Sequence, residues 1–165
     1  GMAKTTLILG GARSGKTAYA LTLANAPRTY VATATAHDDE MRDRIAAHQA
    51  ERGGDWTLVE AETDLVTAIG EIQSGTAVVD CLTLWLSNLM AGDCDVEAET
   101  NALIDSLDRS RADVVFVSNE IGMGLVPMEV LSRAFRDQQG RLNQRIAAAA
   151  DRVEFVAAGL PLRLK

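Results

Sequence analysis

Cysteine, proline and aromatic residues are all scarce in this chain of 165 residues, at two, three and 4% respectively. Cys81 and Cys94 are too few for a disulfide framework and have no C-x-x-C spacing, so both read as reduced thiols. The longest apolar stretches, around residues 7–9 and 146–150, fall far short of the roughly 20 residues that cross a bilayer, so no membrane span is expected. Positive charge is also short: 16 Lys+Arg stand against 23 Asp+Glu, a net charge of −7, and no basic stripe stands out. Neutralising a phosphate backbone takes such a stripe, so no nucleic-acid partner is expected. There is no Pro/Gly/Ser linker, internal repeat or low-complexity tract, which favours one domain over residues 2–165. Gly1 before Met2 reads as the scar of an expression tag. The N-terminus has no pattern of a secretory signal, so a cytoplasmic protein is expected.

Forty-seven per cent hydrophobic and 24% charged residues make an ordinary folded-domain composition. Short β-branched runs alternate with longer stretches of helical spacing, the pattern of an α/β protein with a mostly parallel sheet flanked by helices. Strands are expected at 5–9, 29–33, 56–60, 76–80, 114–118, 153–157 and 160–164. Several are continuous apolar runs, as strands covered on both faces should be. Helices are expected at 16–25, 38–51, 64–72 and 81–90, with an amphipathic helix carrying Leu103, Ile104 and Leu107 after an acidic loop at 91–99. One or two more fall within 129–150, with a possible break at Gly140. Only Ala158 and Gly159 separate the last two strands, which implies a tight hairpin and an antiparallel final strand, and Pro161 puts that strand at a sheet edge.

The most specific motif is Gly10-Gly11-Ala12-Arg13-Ser14-Gly15-Lys16-Thr17, a match to G-x-x-x-x-G-K-[ST] between an expected strand and an expected helix. In that setting backbone N–H groups curl round phosphate oxygens, Lys16 reaches the β- and γ-phosphates, and the Thr17 hydroxyl is placed for Mg²⁺. A plain glycine-rich turn is the alternative, but the strand-loop-helix context argues for a P-loop. Asp80, ending the apolar run 76–80, supplies a carboxylate for the metal, although an Asp there also suits the cap of the next helix. The strand ends at Thr33, Ala34, Thr35, Asp80, Asn119 and Glu120 should gather at the carboxyl edge of a parallel sheet. Of the two histidines, His48 shares a helical face with Met41 and Ile45. A packing role is the plain reading, yet a neutral imidazole is also a competent nucleophile toward phosphorus.

Taken in order, the phosphate loop, Ala32-Thr33, Asp38-Asp39-Glu40-Met41 leading to Arg44-Ile45 and His48, and Asp55-Trp56 resemble one enzyme family. So do Ser118-Asn119-Glu120-Ile121-Gly122-Met123-Gly124, Val126-Pro127, Arg136-Asp137 and Gly140-Arg141-Leu142-Asn143-Gln144-Arg145. The family is adenosylcobinamide kinase/adenosylcobinamide-phosphate guanylyltransferase. The resemblance implies a RecA-like P-loop fold and an enzyme of cobalamin biosynthesis. Such an enzyme phosphorylates adenosylcobinamide with ATP or GTP and then transfers GMP from GTP to adenosylcobinamide phosphate. It implies a guanylyl-histidine at His48 and catalytic Lys16. Nucleotide contacts would fall at Gly10 through Thr17, at Thr33, Ala34 and Thr35, at Gln49, Ala50, Glu51 and Arg52, and at Glu60 and Asp80. Thr17 and Asp80 would hold Mg²⁺, and a homotrimer would be the oligomeric state. Ala47 departs from the basic residue or histidine often found just before the modified histidine. Two other readings remain at this point: a P-loop small-molecule kinase without covalent nucleotidylation, and a non-catalytic nucleotide switch or assembly module.

Overall fold

The computed structural model describes residues 2–34, 43, 55–120 and 130–165, with side chains from 133 onward in the last of these segments. Apart from Asp43, which is helical, the expected helix at 38–51, with His48, and the stretch 121–129 lie outside the described residues. Seven strands form one sheet: β1 (Thr5–Gly10), β2 (Arg28–Ala32), β3 (Trp56–Glu60), β4 (Thr76–Asp80), β5 (Asp113–Asn119), β6 (Arg152–Ala157) and β7 (Leu160–Arg163). Their order is β3-β2-β4-β5-β1-β6-β7, all neighbours parallel except β6 and β7. The expected α/β class, mostly parallel sheet and antiparallel final edge strand are therefore all present. Ala158 and Gly159 make the hairpin turn, with φ of 52° and 75°.

The described helices are α1 (Lys16–Thr22), α2 (Leu65–Gly70), α3 (Leu82–Ala91), α4 (Val96–Leu107) and α5 (Val130–Ala149). Alternation along the central strands divides the core in two, because successive side chains of a strand point to opposite faces. Leu7, Leu9, Val79, Val114 and Phe116 face α2, α3, α4 and α5, whose Leu65, Trp85, Leu86, Leu103 and Ile146 complete the larger core. Ile8, Tyr30, Val78, Val115 and Val117 face the other way, toward Ala20 and Leu21 of α1. Strands covered on both sides explain the unbroken apolar runs.

Several boundaries differ from the sequence expectation. Helix α1 stops at Thr22 rather than 25, since the Leu23 N–H bonds back to the Ala20 carbonyl at 3.1 Å and the Ala24 N–H to the Leu21 carbonyl at 3.3 Å, a tightened last turn. Asp64 does not belong to α2 but caps it, its carboxylate accepting from the Thr67 N–H at 3.0 Å. The acidic loop is shorter than expected because Asp95 caps α4 through the Ala98 N–H at 3.1 Å, which puts Glu97 and Glu99 in the first turn, where the helix dipole favours them. Helix α5 runs through Gly140 without a break. A glycine there costs roughly 1 kcal/mol relative to alanine. Buried Gln139, Leu142, Asn143 and Ile146 hold the helix on either side of it.

Candidate functional site

Strand β1 ends at Gly10 between β5 and β6, and the chain turns at once into α1. A Cβ on Gly10 would lie 2.7 Å from the Val156 carbonyl oxygen, so the close approach of β6 requires glycine there. Gly15 precedes α1 at φ 89°, in the left-handed region. Within the turn the Ser14 N–H donates to the Gly11 carbonyl at 3.3 Å, and the Lys16 N–H donates to the Ser14 hydroxyl at 3.3 Å. The buried Lys16 ammonium folds across the loop and donates to the Gly11 carbonyl at 3.1 Å. Ala12 and Arg13 stand exposed at the tip, and Thr17 is half-buried. This is the strand-loop-helix arrangement that cradles phosphate.

Asp80 closes β4, two strands from β1, so about 10 Å separates the strand ends at the usual spacing of about 4.8 Å. It is buried and accepts a short hydrogen bond from the Tyr30 hydroxyl. It does not cap α3. That role falls to Cys81, whose Sγ accepts from the Leu84 N–H at 3.4 Å. Burial first and the Asp80 carboxylate second push the Cys81 thiol up to about 11, while Lys16 pulls weakly the other way. Both charges of the site thus act on one thiol.

Thr33 is fully buried. Its hydroxyl accepts from the Cys81 N–H at 2.9 Å and donates to the Cys81 carbonyl at 2.8 Å, clamping the chain just after Asp80. The Thr33 carbonyl accepts from the Asn88 side-chain amide at 2.8 Å, which ties this strand end to α3. Ala34 is buried beside it. Glu60 is exposed at the end of edge strand β3, in register with Ala32 and so one strand from Thr33 and Ala34, but four strands or about 19 Å from β1. The structure therefore brings the phosphate loop, Thr33, Ala34, Asp80 and Glu60 to one edge of the sheet, with Glu60 at its far end from the loop. Thr35, His48, Gln49, Ala50, Glu51 and Arg52 lie outside the described residues.

A sequence model of the family described as Cobinamide kinase / cobinamide phosphate guanyltransferase matches residues 6–164. The chain belongs to this family. It is 44% identical over 168 residues to the bifunctional adenosylcobalamin biosynthesis protein CobP of Pseudomonas aeruginosa, covering 96% of both chains. To the bifunctional adenosylcobalamin biosynthesis protein CobU of Salmonella typhimurium it is 39% identical over 178 residues, covering 96% of this chain and 98% of the other. Like the rest of its family, the chain is an enzyme. Among solved structures it resembles an ATPase from the type III secretion system of pathogenic bacteria, with a TM-score of 0.63 at 11% identity over 99% of this chain and 57% of the other. It also resembles the KaiC-like protein PH0186 of Pyrococcus horikoshii, with a TM-score of 0.52 at 13% identity over 92% of this chain and 71% of the other. At these identities the likeness concerns the fold alone.

In this cobinamide kinase / guanyltransferase chain, the end of β5 is braced by a buried polar cluster that single-residue reading did not single out. The Ser118 hydroxyl donates to the Asn143 side-chain oxygen at 2.6 Å, and the Gln139 side-chain amide donates to both at 3.0 Å. Asn143 in turn donates to the Asn119 carbonyl at 3.2 Å, and the Glu120 N–H bonds the Gly10 carbonyl at 2.9 Å. Helix α5 is thereby linked through β5 to the start of the phosphate loop. The spacing of Gln139 and Asn143 at i and i+4 on a helix was the available signal. Tyr30 was also missed, because its partner Asp80 is 50 positions away in sequence.

Proposed function

We propose that this enzyme phosphorylates adenosylcobinamide with ATP or GTP and then transfers GMP from GTP to adenosylcobinamide phosphate through a guanylyl-histidine at His48. The observation that carries the reading is a phosphate loop with Lys16 folded over it and Asp80 at a nearby strand end, in a chain of this family. In the kinase step the corrinoid hydroxyl attacks the γ-phosphorus in line, loses its proton, and expels the nucleoside diphosphate. Lys16 and the loop N–H groups stabilise the charge on the transferring group. In the second step the His48 imidazole attacks the α-phosphorus of GTP and expels pyrophosphate. The phosphate of the corrinoid then attacks the same phosphorus, His48 leaves, and adenosyl-GDP-cobinamide forms.

The Thr17 hydroxyl and Asp80 carboxylate are hard oxygen donors of the kind Mg²⁺ takes alongside substrate phosphates, so they are the residues to hold it. Bound there, the ion would neutralise phosphate charge. Thr33 and Ala34 shape the strand end, and Gln49, Ala50, Glu51, Arg52 and Glu60 are proposed to serve the guanosine end. One catalytic domain working as a cytoplasmic homotrimer completes the reading. Among the described residues no helix is long and apolar enough to cross a membrane.

Incubation with Mg²⁺ and GTP labelled at the α-phosphate tests the covalent step. Acid-labile, base-stable label on the denatured protein, absent from His48→Ala, is the expected result. Wild-type protein that binds GTP but keeps no label would overturn the covalent route and leave a simple kinase.

A further inference from the structure

We infer that the C-terminal hairpin turn, Ala158 and Gly159, is a positioning element of the phosphate site, holding the loop in its binding shape from outside the G-x-x-x-x-G-K-[ST] motif. The inference rests on the reading of Gly10 through Thr17 as the phosphate site. Two close approaches join the turn to the loop, and a third joins the end of β6 to Gly10. The Gly159 N–H donates to the Ser14 carbonyl at 2.7 Å. A Cβ on Gly15 would come within 3.1 Å of the Gly159 Cα, and one on Gly10 within 2.7 Å of the Val156 oxygen. Register explains the meeting, since Gly10 pairs with Val156 and the hairpin turns two residues later, beside the loop.

The Ser14 carbonyl and the Gly15 N–H belong to one planar trans peptide and point in opposite directions. A donor fixed on that carbonyl therefore holds the Gly15 N–H pointing away from the hairpin. A phosphate loop works through such oriented N–H groups, so the turn sets the aim of one of them. The turn can do this because Ala158 and Gly159 both have positive φ, 52° and 75°, as in a two-residue hairpin with primed geometry. Packing on the outer strand does not supply the constraint: Leu160 and Leu162 of β7 are 72% and 62% exposed.

Three variants test it, each measured for GTP binding in Mg²⁺, for KM and kcat, and for Tm. Gly159→Val puts a β-branched residue where φ is 75°. A Cβ there meets nothing within 4 Å, so the strain of the substitution falls first on the backbone and its donor, and Gly159→Ala, which adds the Cβ alone, checks this. Gly159→Asn keeps both the left-handed conformation and the N–H. Leu162→Gly weakens the hairpin without touching the turn. GTP affinity is expected to fall about tenfold in Gly159→Val, mostly in KM, and to stay within about twofold of wild type in Gly159→Asn. Leu162→Gly should lower Tm and keep its affinity. Should Gly159→Val not fold, Gly159→Ala replaces it with the same ordering at smaller amplitude. Equal affinity for Gly159→Val and wild type would overturn the inference, as would a loss in Leu162→Gly that tracks its Tm. Wild-type protein that binds neither GTP nor ATP would instead overturn the phosphate-site reading, and this inference with it.

Discussion

Two tyrosine–carboxylate pairs lie on the α1 side of the sheet, and they differ in what surrounds the acid. At the carboxyl edge Tyr30 donates to Asp80. Near the middle of β6, Tyr19 donates to Glu154 at 2.6 Å, and Arg152 binds the other Glu154 oxygen at 2.9 Å. Both acids are buried. Glu154 has its charge met within the protein and fastens α1 to β6. Asp80 sits where strands end, near Lys16, close enough that both charges act on Cys81. The same kind of pair thus braces the fold in one place and, on the proposed function, prepares a site in the other. Position relative to the strand ends separates the two roles, because a parallel sheet collects its ligands beyond its carboxyl edge.

The comparison breaks most sharply on the functional side. Lys16→Ala should lower turnover by on the order of a hundredfold to a thousandfold, since it removes the charge proposed to stabilise the transferring phosphate. Steady-state kinetics with adenosylcobinamide would show this, with Tm near wild type as the check on folding. On the structural side the effect is smaller and of another kind. Glu154→Gln keeps the shape but loses the charge that Arg152 meets. It should cost about 1–2 kcal/mol and lower Tm by roughly 2–8 °C, read by thermal unfolding. Arg152 is partly exposed, which keeps this below the cost of breaking a fully buried pair.

The smallest effect concerns pH. Because Cys81 is raised from 9.0 to about 11 in the fold, its contribution to stability is fully present below pH 9 and is lost as pH rises from there through about 11. Cys81→Ser should flatten that part of the stability profile, which denaturant titrations between pH 8 and 11 would measure. Tyr19 titrates in the same sense, raised by burial and then by its hydrogen bond to Glu154. Some alkaline slope should therefore survive in Cys81→Ser and shrink further in Tyr19→Phe.

All seven strands were legible in the sequence, because apolar runs bounded by Gly, Pro and Asp leave little choice of period. The phosphate loop was legible because its glycines, lysine and threonine all fall within one stretch of eight residues, Gly10 to Thr17. Helix ends were less so. Leu23 and Ala24 extend the apolar pattern past Thr22, where the backbone has already tightened. Asp64 reads equally well as a first helical residue or as a cap. What could not be read was pairing across sequence distance. Nothing local joins Tyr30 to Asp80, Ser118 to Asn143, or Ser14 to Gly159, yet these contacts hold the site edge. They follow from strand order, and strand order is a property of the whole sheet.

The most direct test of the distinction pairs Asp80→Asn with Glu154→Gln, measuring Tm and Mg²⁺-dependent turnover on each. Asp80→Asn should lose turnover by on the order of a hundredfold, far out of proportion to any loss of Tm, while Glu154→Gln loses Tm and keeps its turnover at temperatures where it is folded. If Asp80→Asn keeps wild-type turnover, or if the two variants lose stability and turnover in the same proportion, Asp80 is a structural acid like Glu154 and the account of the site is wrong.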